Sequence, residues 1–280
     1  MRKTAHEHFV PEAYLRKFSH DKRRIYLYDK LCKNEPKLVG VSDVCVKRNI
    51  YESRNQNGDY VEHNVLEKEL QKIENDFFKT VRTIERAIPY KSKQCQCFLT
   101  KNEKESIRNM MVSQFLRTPQ MIELATNKAQ EISSDNDMQC NTKKMALNAC
   151  LPISEHTQKT ELWNTVSNWF QDMGFVIGYT NDNSIITGDK PIVIYKENKA
   201  KSMRELNPDL VVYPLTSNLV LYMHPRKSLP VGHRNTVMKM SKENIEMVRK
   251  MVVANSNRWI VAIGPNKDEE LESIIKSKIT

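Results

Sequence analysis

The stretch GFVIGYTNDNSIITGDKPIVIY, residues 174–195, decides the fold class. Its apolar runs are short and rich in Val and Ile, and they are broken by Asn181-Asp182-Asn183 and by Gly188-Asp189-Lys190-Pro191. Short β-branched runs bounded by turn residues read as strands rather than helix. Phe175 to Tyr179 and Ser184 to Thr187 are therefore expected to form a hairpin, with Pro191 to Tyr195 as the next strand. The same pattern recurs at Leu210 to Tyr213, Asn218 to Met223 and Arg258 to Ile263. A helix over 241–254, capped by Ser241, interrupts this sheet, and a short charged helix is expected to end the chain.

Upstream of Gly174 the apolar period changes. Val61, Val65, Leu66, Leu70, Ile73, Phe77, Val81, Ile84 and Ile88 form one stripe of a long helix between the break at Asn57-Gly58-Asp59 and Pro89. Thr100-Lys101-Asn102-Glu103 has the spacing of a capping box and predicts a second helix to Arg117, which Thr118-Pro119 ends or uses to start another. Ser133 to Asp137 reads as a linker, and helices are expected at 141–150 and 154–173. The opening residues 1–55 are different again. Pro11 to Phe18 predicts a short helix, Ile25 to Asp29 a strand, and Lys37 to Val41 and Asn49 to Tyr51 weaker strands around a turn at Ser42-Asp43-Val44. Short N-terminal strands, central long helices and a mostly antiparallel C-terminal sheet make an α+β protein. The opening strands are expected to join or flank the later sheet, so that 1–55, 60–173 and 174–280 compose one domain over 1–280.

The chain has 280 residues, 44 Lys and Arg against 34 Asp and Glu, and a formal net charge of +10. No apolar stretch nears the roughly 18 residues that a bilayer span needs, and no secretory signal is visible, so a soluble cytoplasmic protein with no membrane partner is expected. Residues 1–54 hold thirteen Lys and Arg against seven acids, a balance of +6 out of the total +10. Interleaved Phe9, Tyr14, Phe18, Tyr26, Tyr28 and Tyr51 suit a surface that meets phosphates and bases, with Arg16, Lys17, Arg23, Arg24, Lys47 and Arg48 as its contacts. The plainer reading is a set of solvated basic faces, since no dense basic run exists. The six cysteines (32, 45, 95, 97, 140 and 150) include one C-x-C pair at Cys95 and Cys97 without a second pair, so free thiols are expected and no metal is assigned. The sequence names no cofactor.

Several segments occur together: His8-Phe9-Val10-Pro11 with Tyr14-Leu15-Arg16 and Phe18, Ile25 to Lys30, Gln114 to Pro119, Ile185 to Pro191, Tyr213 to Thr216, and Asn255 to Trp259. In this order they resemble the bacterial "HYVP" family, catalogued as a domain of unknown function. The family pattern has Ser-Asp-Asn-Pro where this chain has Gly188-Asp189-Lys190-Pro191, so the aspartate and proline agree and their neighbours do not. The resemblance implies relatives rather than an activity.

Four residues carry the chemical reading. His8 stands just before Phe9-Val10-Pro11, where the proline holds the residue ahead of it extended, and an imidazole there can act as acid or base near neutral pH. His6, two residues earlier, shares its side of an extended strand. The alternative is that His8 caps the first helix or anchors the fold. Gln114 and Arg117 share a helical face, so the guanidinium can clamp phosphate while the amide orients a water or base edge. Equally, Arg117 can tie the helix end to a loop through a buried carboxylate. Asp189, in a turn after an apolar run, can bind a metal, act as a base or orient His8, whereas its simplest use is to accept backbone N–H groups. Pairing Asp189 with Glu197-Asn198-Lys199 resembles a metal-nuclease pattern only in spacing. Asp43 is read as a turn residue, and His63, His156, His224 and His233 have no partners at ligand spacing. H-E-x-x-H, G-x-S-x-G and Walker motifs are absent, which argues against zinc metalloproteases, α/β-hydrolases and P-loop NTPases.

These features support a nuclease-like or nucleotide-directed hydrolase, with a role as an anti-phage effector or toxin, in which nucleic acid or a nucleotide is the partner. Two rivals stand beside it: a non-catalytic nucleic-acid-binding module, and a protein-interaction subunit that offers the long helix to another chain.

Overall fold

The computed structural model describes residues 6–32, 35–52, 65–88, 98–132, 142–151, 160–197 and 202–264. In chain order it comprises β1 (His6–His8), α1 (Glu12–Leu15) continuing as a 3-10 turn over Arg16–Phe18, β2 (Arg24–Asp29), β3 (Lys37–Gly40) and β4 (Val46–Arg48). The helical middle follows: α2 (Val65–Ala87), α3 (Lys101–Leu116), α4 (Pro119–Ile132), α5 (Thr142–Cys150) and α6 (Glu161–Trp169). The rest is β5 (Met173–Tyr179), β6 (Thr187–Gly188), β7 (Val193–Tyr195), β8 (Leu210–Thr216), β9 (Leu219–Pro225), β10 (Asn235–Lys239), α7 (Lys242–Asn255) and β11 (Trp259–Ala262). This is an α+β protein, in the order that the sequence implies.

Local chemistry accounts for the helix boundaries. Both halves of the capping box before α3 are present: Thr100 Oγ1 accepts from the Glu103 N–H at 3.3 Å, and Glu103 Oε2 accepts from the Thr100 N–H at 2.7 Å. Pro119 starts α4, where a missing N–H has no cost. Ser241 Oγ accepts from the Asn244 N–H at the start of α7. The helix expected over 154–173 begins at Glu161 among the described residues, behind a Thr160 cap, and is shorter than expected at its far end: it stops at Trp169, and Met173 already belongs to β5.

The described strands form three sheets. β1 pairs with β4 as an antiparallel ribbon. Five strands run in the order β10-β5-β9-β8-β7, antiparallel except for the parallel β10–β5 pair, and four run β3-β2-β11-β6. The opening strand β2 thus joins the closing strand β11, as expected from the sequence. The hairpin expected between 175–179 and 184–187 does not form. β5 is buried along almost its whole length and needs partners on both edges, which β9 and β10 supply, while Thr187 and Gly188 pair with β11. Beyond the end of β5 at Tyr179 the chain turns at Asn183, whose φ is 53°, and Asn218 Oδ1 holds the Asn183 N–H at 2.7 Å. The strand expected at Asn49 to Tyr51 lies instead at Val46–Arg48, because Asn49 has φ 52° and ends it. β10 went unread because Asn235-Thr236-Val237-Met238-Lys239 offers little apolar alternation.

Tyr14 of α1 locks the sheets together. Its hydroxyl lies 2.8 Å from Thr187 Oγ1 of β6 and donates to the Pro214 carbonyl of β8 at 2.6 Å, so one buried side chain bridges the four- and five-stranded sheets. Its ring stacks on Tyr213, which stacks in turn on Phe77 of α2.

Cys32, Cys45 and Cys150 are free thiols. No described helix is long and apolar enough to cross a membrane. The readings at Asn57 to Asp59, Val61, His63, Pro89, Cys95, Cys97, Ser133 to Asp137, Cys140, His156, Asn198, Lys199 and the terminal helix lie outside the described residues.

Candidate functional site

The site is built where β1 ends. Past His8 the chain turns through Phe9 and Val10 into α1, and the carbonyls of His8 and Phe9 leave the β1–β4 ladder. Buried carbonyls need donors, and side chains from far along the chain supply them. Arg117, at the C-cap of α3 and 1% exposed, donates from Nε to the Phe9 carbonyl and from Nη2 to the His8 carbonyl, both at 3.0 Å. Gln114, one turn earlier on the same helix, donates from Nε2 to the Phe9 carbonyl at 2.9 Å, and the Tyr51 hydroxyl donates to the His8 carbonyl at 3.0 Å. Arg117 Nη1 meets Glu74 Oε1 of α2 at 2.7 Å. Burial alone would pull the guanidinium pKa down, but Tyr51 and Glu74 outweigh it and hold the value above the ordinary one.

This corner borders a hollow of about 590 Å³. His8, Arg117 and Glu74 line it, together with the charged side chains Glu12, Arg16, Glu67 and Lys68. The His8 imidazole is partly buried, and its Nε2 is inaccessible and has no hydrogen-bond partner among the described residues. Burial, more than any neighbour, holds its pKa below the usual histidine value; Arg117 acts in the same direction, while Glu12 and a backbone hydrogen bond with Val41 oppose it. Burial thus favours the neutral form of the ring.

The expected residues divide. His8, Arg117 and Gln114 come together, the last two through the main chain of the His8-Phe9 corner. Asp189 lies elsewhere, at the joint between β6 and β11. Its Oδ1 accepts from the Asn257 N–H at 2.8 Å, and its Oδ2 accepts from the Arg258 and Trp259 N–H groups at 2.8 and 3.1 Å. Of the basic residues, Arg16 pairs with Glu12, Lys17 with Glu85 at 2.8 Å and Arg24 with Asp21 at 3.1 Å. Arg23, Lys47 and Arg48 are exposed. Among the described residues, no group of three or more His, Cys, Asp or Glu side chains could hold a metal ion.

Sequence reasoning missed two carboxylates. Glu74 falls inside the apolar stripe of α2, four residues after Leu70 and three before Phe77, a position where a charge needs a partner. Glu7 lies between His6 and His8, and strand alternation that turns both histidines one way turns Glu7 the other. It is fully buried. Its Oε2 accepts from the Tyr51 N–H at 2.8 Å, and its Oε1 is buried with no partner among the described residues. Burial, reinforced by Glu52 and Glu67 and opposed by the Tyr51 bond and Lys143, pushes its pKa up to about 7.

Comparison with known proteins yields one family model, described as a protein of unknown function (DUF4238), which matches residues 6–263. The match bears out a family of unknown function and does not confirm the HYVP name or its motifs. No curated protein and no solved structure matches the chain.

Proposed function

The chain belongs to the DUF4238 family of proteins of unknown function, and from the hollow beside β1 we propose a hydrolase that acts on a phosphodiester or nucleotide, with His8 as its proton-transfer group. The observation that carries this reading is the His8 imidazole in the wall of a charged hollow, its pKa held down by burial. A general base must be neutral at working pH and within reach of the proton it takes. Arg16, which Glu12 pairs, and Lys68 are the basic side chains on these walls that a phosphate would meet, beside the acids Glu12, Glu67 and Glu74. Arg117 and Gln114 act as positioning residues: they hold the carbonyls of His8 and Phe9 and so fix the backbone that aims the ring. Asp189 takes no part in this scheme.

The test is incubation of the purified protein with single- and double-stranded RNA and DNA and with nucleoside triphosphates, while released phosphate and shortened strands are followed. Turnover by the native chain, lost in His8→Gln with an unchanged melting temperature, supports the reading. Failure of the native chain across the whole panel, or full activity in the variant, overturns it.

The non-catalytic rival draws on a separate observation, the exposure of Arg23, Lys47 and Arg48. It predicts salt-sensitive binding without turnover, weakened when these three are neutralised together.

A further inference from the structure

The five-stranded sheet ends at β7, and a smaller hollow of about 180 Å³ lies beside that edge, against the joint between α3 and α4. Phe115 and Met121 wall it on the helical side, and Pro191, Ile192 and Ile194 wall it on the other. Asn255, at the end of α7, fixes the second wall: its Nδ2 donates to the Lys190 and Ile192 carbonyls at 2.8 and 3.0 Å. Three distant stretches of chain thus build one small, largely apolar slot. Its volume is below the roughly 300–1,000 Å³ of drug-sized sites, so it suits a single ring rather than a whole nucleotide.

Gln114 supplies the polar group that points to a ligand. The residue is 1% exposed, and its Nε2 donates to the Phe9 carbonyl at 2.9 Å. The opposite orientation of the amide would set two oxygens against each other, so Oε1 lies on the side away from Phe9. That oxygen is buried with no partner among the described residues. Gln114 lines this hollow and is not in the lining of the one beside His8. Buried polar atoms are nearly always hydrogen-bonded, so an orphaned acceptor in a cavity wall asks for a donor from a ligand. Lys190 is the only charged residue of the lining among the described residues, and it narrows the choice. A carboxylate would satisfy Lys190 but set its lone pairs against Oε1. An ammonium would satisfy Oε1 but meet the like charge of Lys190. An uncharged ring with an N–H beside a C=O satisfies both, and its flat faces suit the Phe115 and Pro191 walls.

We propose that this hollow binds an uncharged lactam ring of pyrimidine size, such as uracil, with its N–H on Gln114 Oε1 and its C=O on Lys190. The proposal concerns binding of the ring alone and does not depend on turnover at His8.

Uracil and 1,3-dimethyluracil test it, because the second keeps the ring and both carbonyls but has no N–H. Each is titrated into the full chain by isothermal calorimetry, and uracil is expected to bind at least tenfold more tightly. Gln114→Met removes the acceptor and is expected to bring the two affinities within threefold of each other, in a chain whose melting temperature shows it folded. Met121→Trp, at a partly buried position on the helical wall, fills the hollow and is expected to weaken uracil at least tenfold. His8→Gln leaves uracil affinity unchanged, so a failure here and a failure of the hydrolase reading are told apart. Equal binding of the two rings by the native chain, or no binding of uracil, overturns the proposal. So does a preference that survives Gln114→Met, which would be steric, or uracil affinity untouched by Met121→Trp.

Discussion

Replacing Glu7 by Gln should make the protein more stable above neutral pH and leave it nearly unchanged in acid. Glu7 is fully buried, and its pKa rises from 4.5 to about 7 in the folded chain. A group with a raised folded pKa contributes its stability below the unfolded value and loses it as pH rises through the folded one. Below pH 4.5 the carboxyl is protonated in both states. Between 4.5 and 7 the folded chain keeps a proton that the unfolded chain gives up, and above 7 the folded protein holds a buried carboxylate. That ionised form costs on the order of 3 kcal/mol relative to an exposed one. Glutamine keeps an acceptor for the Tyr51 N–H and never ionises, so it avoids the cost. Urea unfolding of both proteins at pH 5 and pH 8 measures it, provided the two share one slope against denaturant. The expected difference is within about 1 kcal/mol at pH 5 and about 2–3 kcal/mol in favour of Glu7→Gln at pH 8. His8 titrates in both proteins and cancels in the comparison. A difference that is the same at the two pH values would refute the reasoning, because it would place the effect of Glu7 in packing rather than in charge.

Arg117→Lys should destabilise by about 2–4 kcal/mol, because an ammonium cannot serve the Phe9 carbonyl, the His8 carbonyl and Glu74 at once, and each lost charged bond is worth about 1.5–3 kcal/mol. An effect under 0.5 kcal/mol in urea unfolding would show that Gln114 and Tyr51 hold those carbonyls alone. Asp189→Ala removes the acceptor of three main-chain N–H groups and should cost about 3–5 kcal/mol by the same measurement; a near-neutral result would free that carboxylate for chemistry. Gly188→Ala places a Cβ 2.0 Å from Ser256 Oγ and 2.9 Å from the Trp259 carbonyl, and a melting temperature several degrees lower is expected for a cost of about 3 kcal/mol.

What the sequence showed and what it hid follow from the range of the interactions. The capping box at Thr100, the proline start of α4 and the serine cap of α7 are written within four residues, so they can be read before any tertiary structure is known. Strand partners are not local. Ser184 to Thr187 has the composition of a hairpin arm for β5, yet β5 is buried on both edges and takes the seven-residue register of β9 instead. β10 earns its place by parallel pairing with β5, and its own five residues carry too little apolar alternation to announce a strand.

The same distinction separates the candidate site residues. Arg117 and Gln114 were legible as one face of one helix, but what that face meets is a pair of carbonyls more than one hundred residues earlier in the chain. A strand that ends one residue before a tight turn leaves those carbonyls unpaired, and a buried guanidinium with an amide beside it is the compact way to satisfy both. The guanidinium then requires a counter-charge, and this is why α2 carries Glu74 within its apolar stripe. Each polar residue is therefore a response to the one before it, starting from the turn at Pro11. His8 breaks the sequence of responses: its Nε2 is buried with no partner among the described residues, although the fold supplies donors and acceptors freely to the main chain on either side of it. The ring nevertheless has a backbone hydrogen bond with Val41, which anchors the corner as Arg117 does, so what sets His8 apart is its place in the wall of the hollow beside it.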